Sequence, residues 1–302
     1  MLFQQPTAPQ TLGAPSLRCR CFLLQEWDSN ILNPAQTAGA PGPCFRTWDT
    51  TKADRPMTAS LLPLLGQSAL VTGAAKRLGR AIALKLAEAG ADITITYNTS
   101  EKEAVETVAA IQQSGRKAQA IRCNIRNEAE IKQAVSQTLA YHGQLNILVN
   151  NAANYETADL ATLQTAQWDA IFETNTRAPF IFSRECLPYL RATKGRIIQM
   201  GSLGGLHPWA DHAHYCSSKA AVHMLVKTMA KAFGPEVSVN AVAPGWIDMD
   251  PEPTEQTRRM IEKTPLKRSG TPADIAEAVL YFATAASFIT GQILPVDGGL
   301  GL

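Results

Sequence analysis

From residue 64 to residue 302 the chain alternates short apolar segments with helical stretches, and that alternation restricts its fold more than any other feature. The apolar segments begin with Ser68-Ala-Leu-Val-Thr-Gly73, Asp92-Ile-Thr-Ile-Thr-Tyr97, Ala118-Gln-Ala-Ile-Arg-Cys123 and Leu145-Asn-Ile-Leu-Val-Asn-Asn151. Arg196-Ile-Ile-Gln-Met200, Val237-Ser-Val-Asn-Ala-Val242 and Gln292-Ile-Leu-Pro-Val296 bring them to seven. Helices are predicted between them, over 78–89, near 101–114, near 128–142, in one long stretch near 165–192, around Tyr215, and from about Thr271. Apolar strands bracketed by helices belong to a parallel sheet covered on both faces, because each parallel crossover lays a helix against the sheet. The predicted class is α/β: a doubly wound, mainly parallel seven-stranded sheet flanked by helices, in a single domain over 57–302.

The first strand runs into Gly73, and a helix follows from about Leu78. A strand, a tight turn and a helix amino terminus let the backbone approach a pyrophosphate, which the helix dipole and free N–H groups favour. Further along, Tyr215 and Lys219 lie four residues apart in His214-Tyr-Cys-Ser-Ser-Lys-Ala220 and share a helix face. An ammonium so placed draws the phenol's proton equilibrium toward neutrality and makes it usable as a general acid or base. Ser202 stands thirteen residues upstream of Tyr215, in Gln199-Met-Gly-Ser-Leu-Gly-Gly205. Singly these residues say little. A chain with six tyrosines can produce Tyr-x-x-x-Lys by accident, Ser202 reads as a turn residue between glycines, and Asn175 reads as a polar helix residue satisfying backbone at a kink.

Taken in order, the motifs resemble those of the short-chain dehydrogenase/reductases from about residue 64 to the last residue. Thr72-Gly-Ala-Ala-Lys-Arg-Leu-Gly79 matches the nucleotide loop and Asn150-Asn-Ala-Ala153 the turn after the fourth strand. Asn175, Ser202, Tyr215, Lys219, Asn240-Ala-Val-Ala-Pro-Gly245 and the closing Thr290-Gly and Val296-Asp-Gly-Gly299 follow. The resemblance implies a Rossmann-type fold, direct hydride transfer from a nicotinamide, and a homotetramer. It implies that Tyr215 exchanges a proton with the substrate oxygen, Ser202 orients that oxygen, Lys219 contacts the nicotinamide ribose and lowers the tyrosine pKa, and Asn175 holds a water. The implied cofactor residues are Gly73, Lys76, Arg77, Leu78 and Gly79, then Tyr97, Asn98, Thr99 and Ser100, then Asn124 and Ile125. Asn151, Ala152, Ala153, Tyr215, Lys219, Pro244, Gly245 and Ile247 complete that set. The implied substrate wall comprises Asn154, Tyr155, Ser202, Leu203, Trp209 and Trp246, with a lid over Trp246–Pro253.

Two departures from the family pattern bear on the cofactor. Arg77 replaces a usual glycine, and the end of the second strand, where NAD-selective sites place an acid, reads Tyr97-Asn-Thr-Ser100. With no carboxylate there and Lys76 and Arg77 nearby, a 2′-phosphate fits, so NADPH/NADP+ is expected over NADH; solvated loop charges are the plainer reading. Asn124 stands where an aspartate is common, and its carbonyl can accept the same hydrogen bond.

The intact Asn175, Ser202, Tyr215 and Lys219 set resembles 3-oxoacyl-carrier-protein reductases, whereas Ala74–Arg80, Phe233–Asn240 and Tyr155 resemble pteridine reductases. The latter typically carry an aspartate at the Ser202 position, and serine suits a carbonyl oxygen, so carbonyl reduction is preferred over a dihydropteridine or dihydrofolate. A non-catalytic NADP-binding sensor or scaffold had no need to keep all four residues. Arg258, Arg259, Lys263, Lys267 and Arg268 could meet an acidic carrier protein, although such runs are usually solvated faces.

With 18% charged residues and a net charge of +2, nothing points to nucleic acid or an anionic membrane, and no apolar run reaches transmembrane length. Residues 1–56 hold seven of eighteen prolines and three of six cysteines without strand or helix period, and are expected to be a disordered or non-native extension. Cys123, Cys186 and Cys216 are scattered in core-like contexts, which suits reduced thiols in the cytoplasm. No metal-ligand cluster is expected.

Overall fold

Seven strands pair in the order β3-β2-β1-β4-β5-β6-β7 in a computed structural model that describes residues 62–249 and 254–302. They are β1 (Ser68–Val71), β2 (Asp92–Tyr97), β3 (Ala118–Arg122), β4 (Ile147–Asn150), β5 (Arg196–Met200), β6 (Ser238–Pro244) and β7 (Ile293–Val296). Every neighbouring pair is parallel. The described residues fall in one compact unit, Met57–Leu302. The expectation for residues 1–56 lies outside the described residues, as does that for the lid residues 250–253.

Among the described residues the α-helices are α1 (Arg77–Glu88), α2 (Glu101–Gln113), α3 (Glu128–His142), α4 (Thr165–Phe172), α5 (Ala178–Thr193), α6 (Ala213–Phe233), α7 (Glu255–Lys263) and α8 (Pro272–Thr284), of which all but α4 and α7 pack on the sheet. Ala69 and Val71 of β1 join Ile82, Leu86, Ile111, Ile275 and Phe282 beneath α1, α2 and α8. Leu70 between them joins Ile131, Phe182, Leu190 and Val226 beneath α3, α5 and α6. Alternation of side chains across the pleat thus sends neighbouring residues of one strand to two cores.

Two elements depart from expectation. The long helical stretch near 165–192 is broken by a π turn over Glu173–Arg177. Pro179 has no N–H to return to the carbonyl four residues earlier, so a regular helix through Asn175 would strand that carbonyl. The helix α7 is an addition to the predicted elements: it is strongly polar, and its narrow inward face carries Thr257, Met260 and Ile261. Only Thr257 among its residues is buried, and its start is set by Thr254, whose Oγ accepts from Thr257 N at 3.1 Å. Three cations of the basic run are engaged within the chain: Arg259 with Glu255, Lys267 with the Glu262 carbonyl, and Arg268 with Asp274. Among the described residues no helix is long and apolar enough to cross a membrane, and no group of three His, Cys, Asp or Glu side chains could hold a metal ion.

The start of α8 follows the sequence closely. Thr271 and Asp274 cap each other's backbone, and Arg268 meets the Asp274 carboxylate with two bonds of 2.8 Å. Asp274→Ala is therefore expected to lower the unfolding free energy by about 1–2 kcal/mol in urea titration at neutral pH. The hydrogen bond from Arg268 holds this carboxyl well below the usual range. Its contribution is fully present above the unfolded value of ~3.9 and is lost as pH falls below it, so the two proteins should converge in acid.

Candidate active site

The strand order reverses between β1 and β4, and a cleft of about 640 Å³ opens beyond their carboxyl ends. Hydrogen bonding makes its floor rigid. Thr72 Oγ accepts from the N–H groups of Asn151 and Ala152, both at 3.0 Å. Asn151 Nδ2 donates to the carbonyls of Thr72 and Gly73, at 2.9 and 3.1 Å. Two glycines permit this contact. Gly73 adopts φ 62° against Ala152, and a Cβ on Gly79 would lie 2.5 Å from Asn151 Nδ2.

The amino terminus of α1 opens into the cleft without a side-chain cap and without an acid in its first turn. Its free N–H groups suit an anion, and Lys76 and Arg77 add charge beside them. This set of groups fits the pyrophosphate of a dinucleotide. Arg77 takes φ 52°, the left-handed region that the usual glycine enters freely, at a cost on the order of 1 kcal/mol.

Gly73, Lys76, Arg77, Leu78 and Gly79 line the cleft, as do Tyr97, Asn98, Asn124 and Ile125. Asn151, Ala152, Ala153, Asn154 and Tyr155 form its opposite wall. Thr99 and Ser100 lie beyond the wall, where Ser100 leads into α2. Past β6, Gly245 packs on Asp297 and Ile247 bridges to Gly270, so Pro244, Gly245 and Ile247 do not line it. The wall also includes Met249 of the expected lid segment, and Thr96, Cys123, Arg126 and Thr174, which the motifs did not single out. Thr96 had a signal in its alternation along β2, and its Oγ accepts from Gly73 N at 3.2 Å. Arg126 meets Glu173 at 2.6 Å. Glu103, on α2, reaches Lys76 at 3.5 Å. The Asn124 side-chain oxygen accepts from Arg126 N at 3.1 Å and keeps a second lone pair.

At the same end of the sheet, α6 lies against the segment following β5. Lys219 is buried, and its Nζ donates to the Met200 carbonyl at 2.8 Å. Burial alone pulls this ammonium down to about 8. Burial also pushes the Tyr215 phenol up to about 12, against the opposing hydrogen bond with Ser202. Lys219 Nζ sits 5.8 Å from the Tyr215 ring centroid and is directed at Met200, and in the protein by itself desolvation is the dominant influence on the phenol. The phenol is protonated throughout the neutral range. Asn175 sits in the π turn, where its Oδ1 accepts from Asn154 N at 2.8 Å and its Nδ2 donates to the Asn154 carbonyl at 2.9 Å and to Ser218 Oγ at 3.1 Å. Its amide thus ties the Asn154 loop to α6.

Aromatic rings surround the Tyr215 phenol. Tyr155 meets it edge-on at 4.9 Å, and Trp209 lies nearly parallel at 6.2 Å. Tyr155 in turn stacks at 4.7 Å on His212, which is held by Asp211 at 2.6 Å and Thr157 at 3.0 Å. Leu203 is buried behind Ser202, while Trp246 lies past β6 with its carbonyl accepting from Gly270 N. Asp211 and Thr157 were not legible as a pair because 54 residues separate them in sequence and the loop contact alone unites them.

A protonated phenol, a serine and a buried lysine beside a dinucleotide-shaped cleft define a nicotinamide-dependent oxidoreductase of the Rossmann class. A family model described as enoyl-(acyl carrier protein) reductase matches residues 73–301. A 3-oxoacyl-[acyl-carrier-protein] reductase of Staphylococcus epidermidis is 36% identical over 242 residues, covering 78% of this chain and 99% of that protein. The short chain dehydrogenase mdpC of Emericella nidulans is 35% identical over 254 residues, covering 78% and 96%. Among solved structures, a short-chain dehydrogenase/reductase from Serratia marcescens superposes with a TM-score of 0.77 at 34% identity, over 80% of this chain and all of that one. A blue fluorescent protein in complex with NADPH gives 0.76 at 32% identity, over 80% and 100%. The chain belongs to the short-chain dehydrogenase/reductase family.

The buried lysine makes a pH prediction. Between about 8 and the ordinary 10.5 the unfolded chain binds the proton that the folded Lys219 has lost, so stability rises with pH through that window. Against Lys219→Met, the native protein should gain on the order of 3 kcal/mol from pH 8 to 10.5 in denaturant titration. A constant difference across that range would show that burial does not tax the ammonium.

Proposed function

We propose that the protein is an NADPH-dependent carbonyl reductase, with residues 57–302 as its catalytic domain and 3-oxoacyl thioesters as its substrates. The observation that carries this reading is the Tyr215 phenol, held protonated by burial, paired with Ser202 and edge-on to Tyr155 of the cleft wall. A nicotinamide supplies the hydride when bound, and the chain's own residues handle everything else. Ser202 donates to the carbonyl oxygen and holds it. Tyr215 delivers its proton to that oxygen as negative charge develops there, leaving a hydroxyl in place of the carbonyl. Lys219, a cation at neutral pH, stabilises the phenolate that remains until solvent reprotonates it. Asn175 keeps the Asn154 loop and α6 in register around these groups.

For the cofactor, Lys76 and Arg77 beside Asn98 support a 2′-phosphate; Lys76 is half-committed to Glu103, which leaves Arg77 as the principal contact. The 36% identity to a 3-oxoacyl-[acyl-carrier-protein] reductase supports the thioester. A dihydropteridine is the second reading, favoured by the Tyr155 ring, 56% exposed and edge-on to Tyr215. The homotetramer is supported by an apolar groove of about 680 Å³ between α4, α5 and α6, lined by Phe172, Phe180, Met224 and Leu225. The free thiols Cys123, Cys186 and Cys216 support a cytoplasmic setting.

NADPH oxidation by the full chain should proceed with a 3-oxoacyl thioester and fall at least ~1,000-fold in Tyr215→Phe. Turnover of a dihydropteridine alone would replace the preferred substrate by the second reading. Arg77→Ala should raise KM for NADPH about tenfold and leave that for NADH nearly unchanged, whereas equal changes would remove the basis for NADP preference. Met224→Glu should convert the tetramer to smaller species in sedimentation velocity, by placing a charge in the apolar groove.

A further inference from the structure

The helix α6 carries a third side chain on the stripe that presents Tyr215 and Lys219. His223 stands four residues beyond Lys219 and eight beyond Tyr215, which sets all three on one face. Its ring is 5% exposed and fills a slot between two glycines. A Cβ on Gly201 would collide with Nε2, and one on Gly205 would lie 2.6 Å from Cε1. Neither glycine has a positive φ, so these positions need room for the ring rather than conformational freedom.

The segment entering Ser202 is held at three successive residues. Lys219 Nζ donates to the Met200 carbonyl at 2.8 Å, Gly201 N donates to the Val242 carbonyl at 2.8 Å, and Ser202 N donates to His223 Nε2 at 3.4 Å. Ser202 is 4% exposed, so without the imidazole its N–H would be buried and unpaired. Burial lowers His223 to about 4, which keeps the ring neutral with Nε2 as an acceptor. The proton then sits on Nδ1, which lies beside Gly205 and falls short of a full hydrogen bond there. Nothing in ordinary core packing requires a histidine rather than a leucine at this point of the stripe; the acceptor facing Ser202 does.

We propose that His223 is a positioning residue for the reduction, holding the backbone N–H of Ser202 and through it the hydroxyl that meets the carbonyl oxygen. The proposal rests on the role given to Ser202 above, and its test separates the two. In the full chain without cofactor, hydrogen/deuterium exchange of peptides spanning residues 200–206 reads the clamp independently of any substrate. His223→Leu should speed exchange there about tenfold or more, and His223→Gln, whose Oε1 can replace Nε2, should stay within about threefold of the native rate. In NADPH-dependent reduction, His223→Leu should lower kcat about tenfold with the affinity for NADPH unchanged, and His223→Gln should recover most of it. With Ser202→Ala already present, His223→Leu should cost nothing more.

Unchanged exchange in His223→Leu, or an equal loss of kcat with and without Ser202→Ala, overturns the proposal. If exchange responds as expected but the native protein reduces no carbonyl, the clamp stands and the functional reading falls. Should His223→Leu fail to fold, His223→Asn, whose shorter amide cannot reach Ser202 N, must reproduce the same exchange and kcat losses, and native behaviour in that variant overturns the proposal equally.

Discussion

Adjacent parallel strands whose crossover helices leave in opposite directions cannot both be roofed by those helices. At β1 and β4 this leaves a crevice at the carboxyl ends of the strands, and the candidate cofactor residues of the loops after β1 and β4 line it. Gly73 and the open end of α1 follow β1, Asn151 to Ala153 follow β4, and Ser202 follows β5. The two cores beneath the helices keep those strand ends fixed, so the positions of the site residues are inherited from packing remote from them.

Desolvation then sets the protonation states. The same burial that raises the Tyr215 phenol lowers the Lys219 ammonium, so the pair stays neutral acid and cation at physiological pH. Three residues of α6 at helical spacing, Tyr215, Lys219 and His223, face the short segment that carries Ser202, so acid, cation and serine form one unit of helix and loop.

Much of this was legible in the sequence because strand period, helix caps and the glycine turn are local signals. The start of α8 at Thr271 and the seven strands fall where expected, with ends shifted by a residue or more. Of the cofactor residues, those on the loops after β1 through β4 converge on one cleft, apart from Thr99 and Ser100. What the sequence hid is tertiary. The π turn follows from a missing proline N–H, α7 is polar but for a narrow face, and the Glu103–Lys76 and Asp211–His212–Thr157 contacts join distant segments. His223 carries no local signal of its own, and its place is set by the slot between Gly201 and Gly205.

The central claim is that Ser202 and Tyr215 act on one oxygen as a unit. A double-mutant cycle of Ser202→Ala and Tyr215→Phe in kcat/KM for carbonyl reduction tests it most directly. The double variant should be no slower than Tyr215→Phe alone, because the serine has nothing to orient once the proton donor is gone. Losses that multiply would contradict the account and assign the two residues to separate steps.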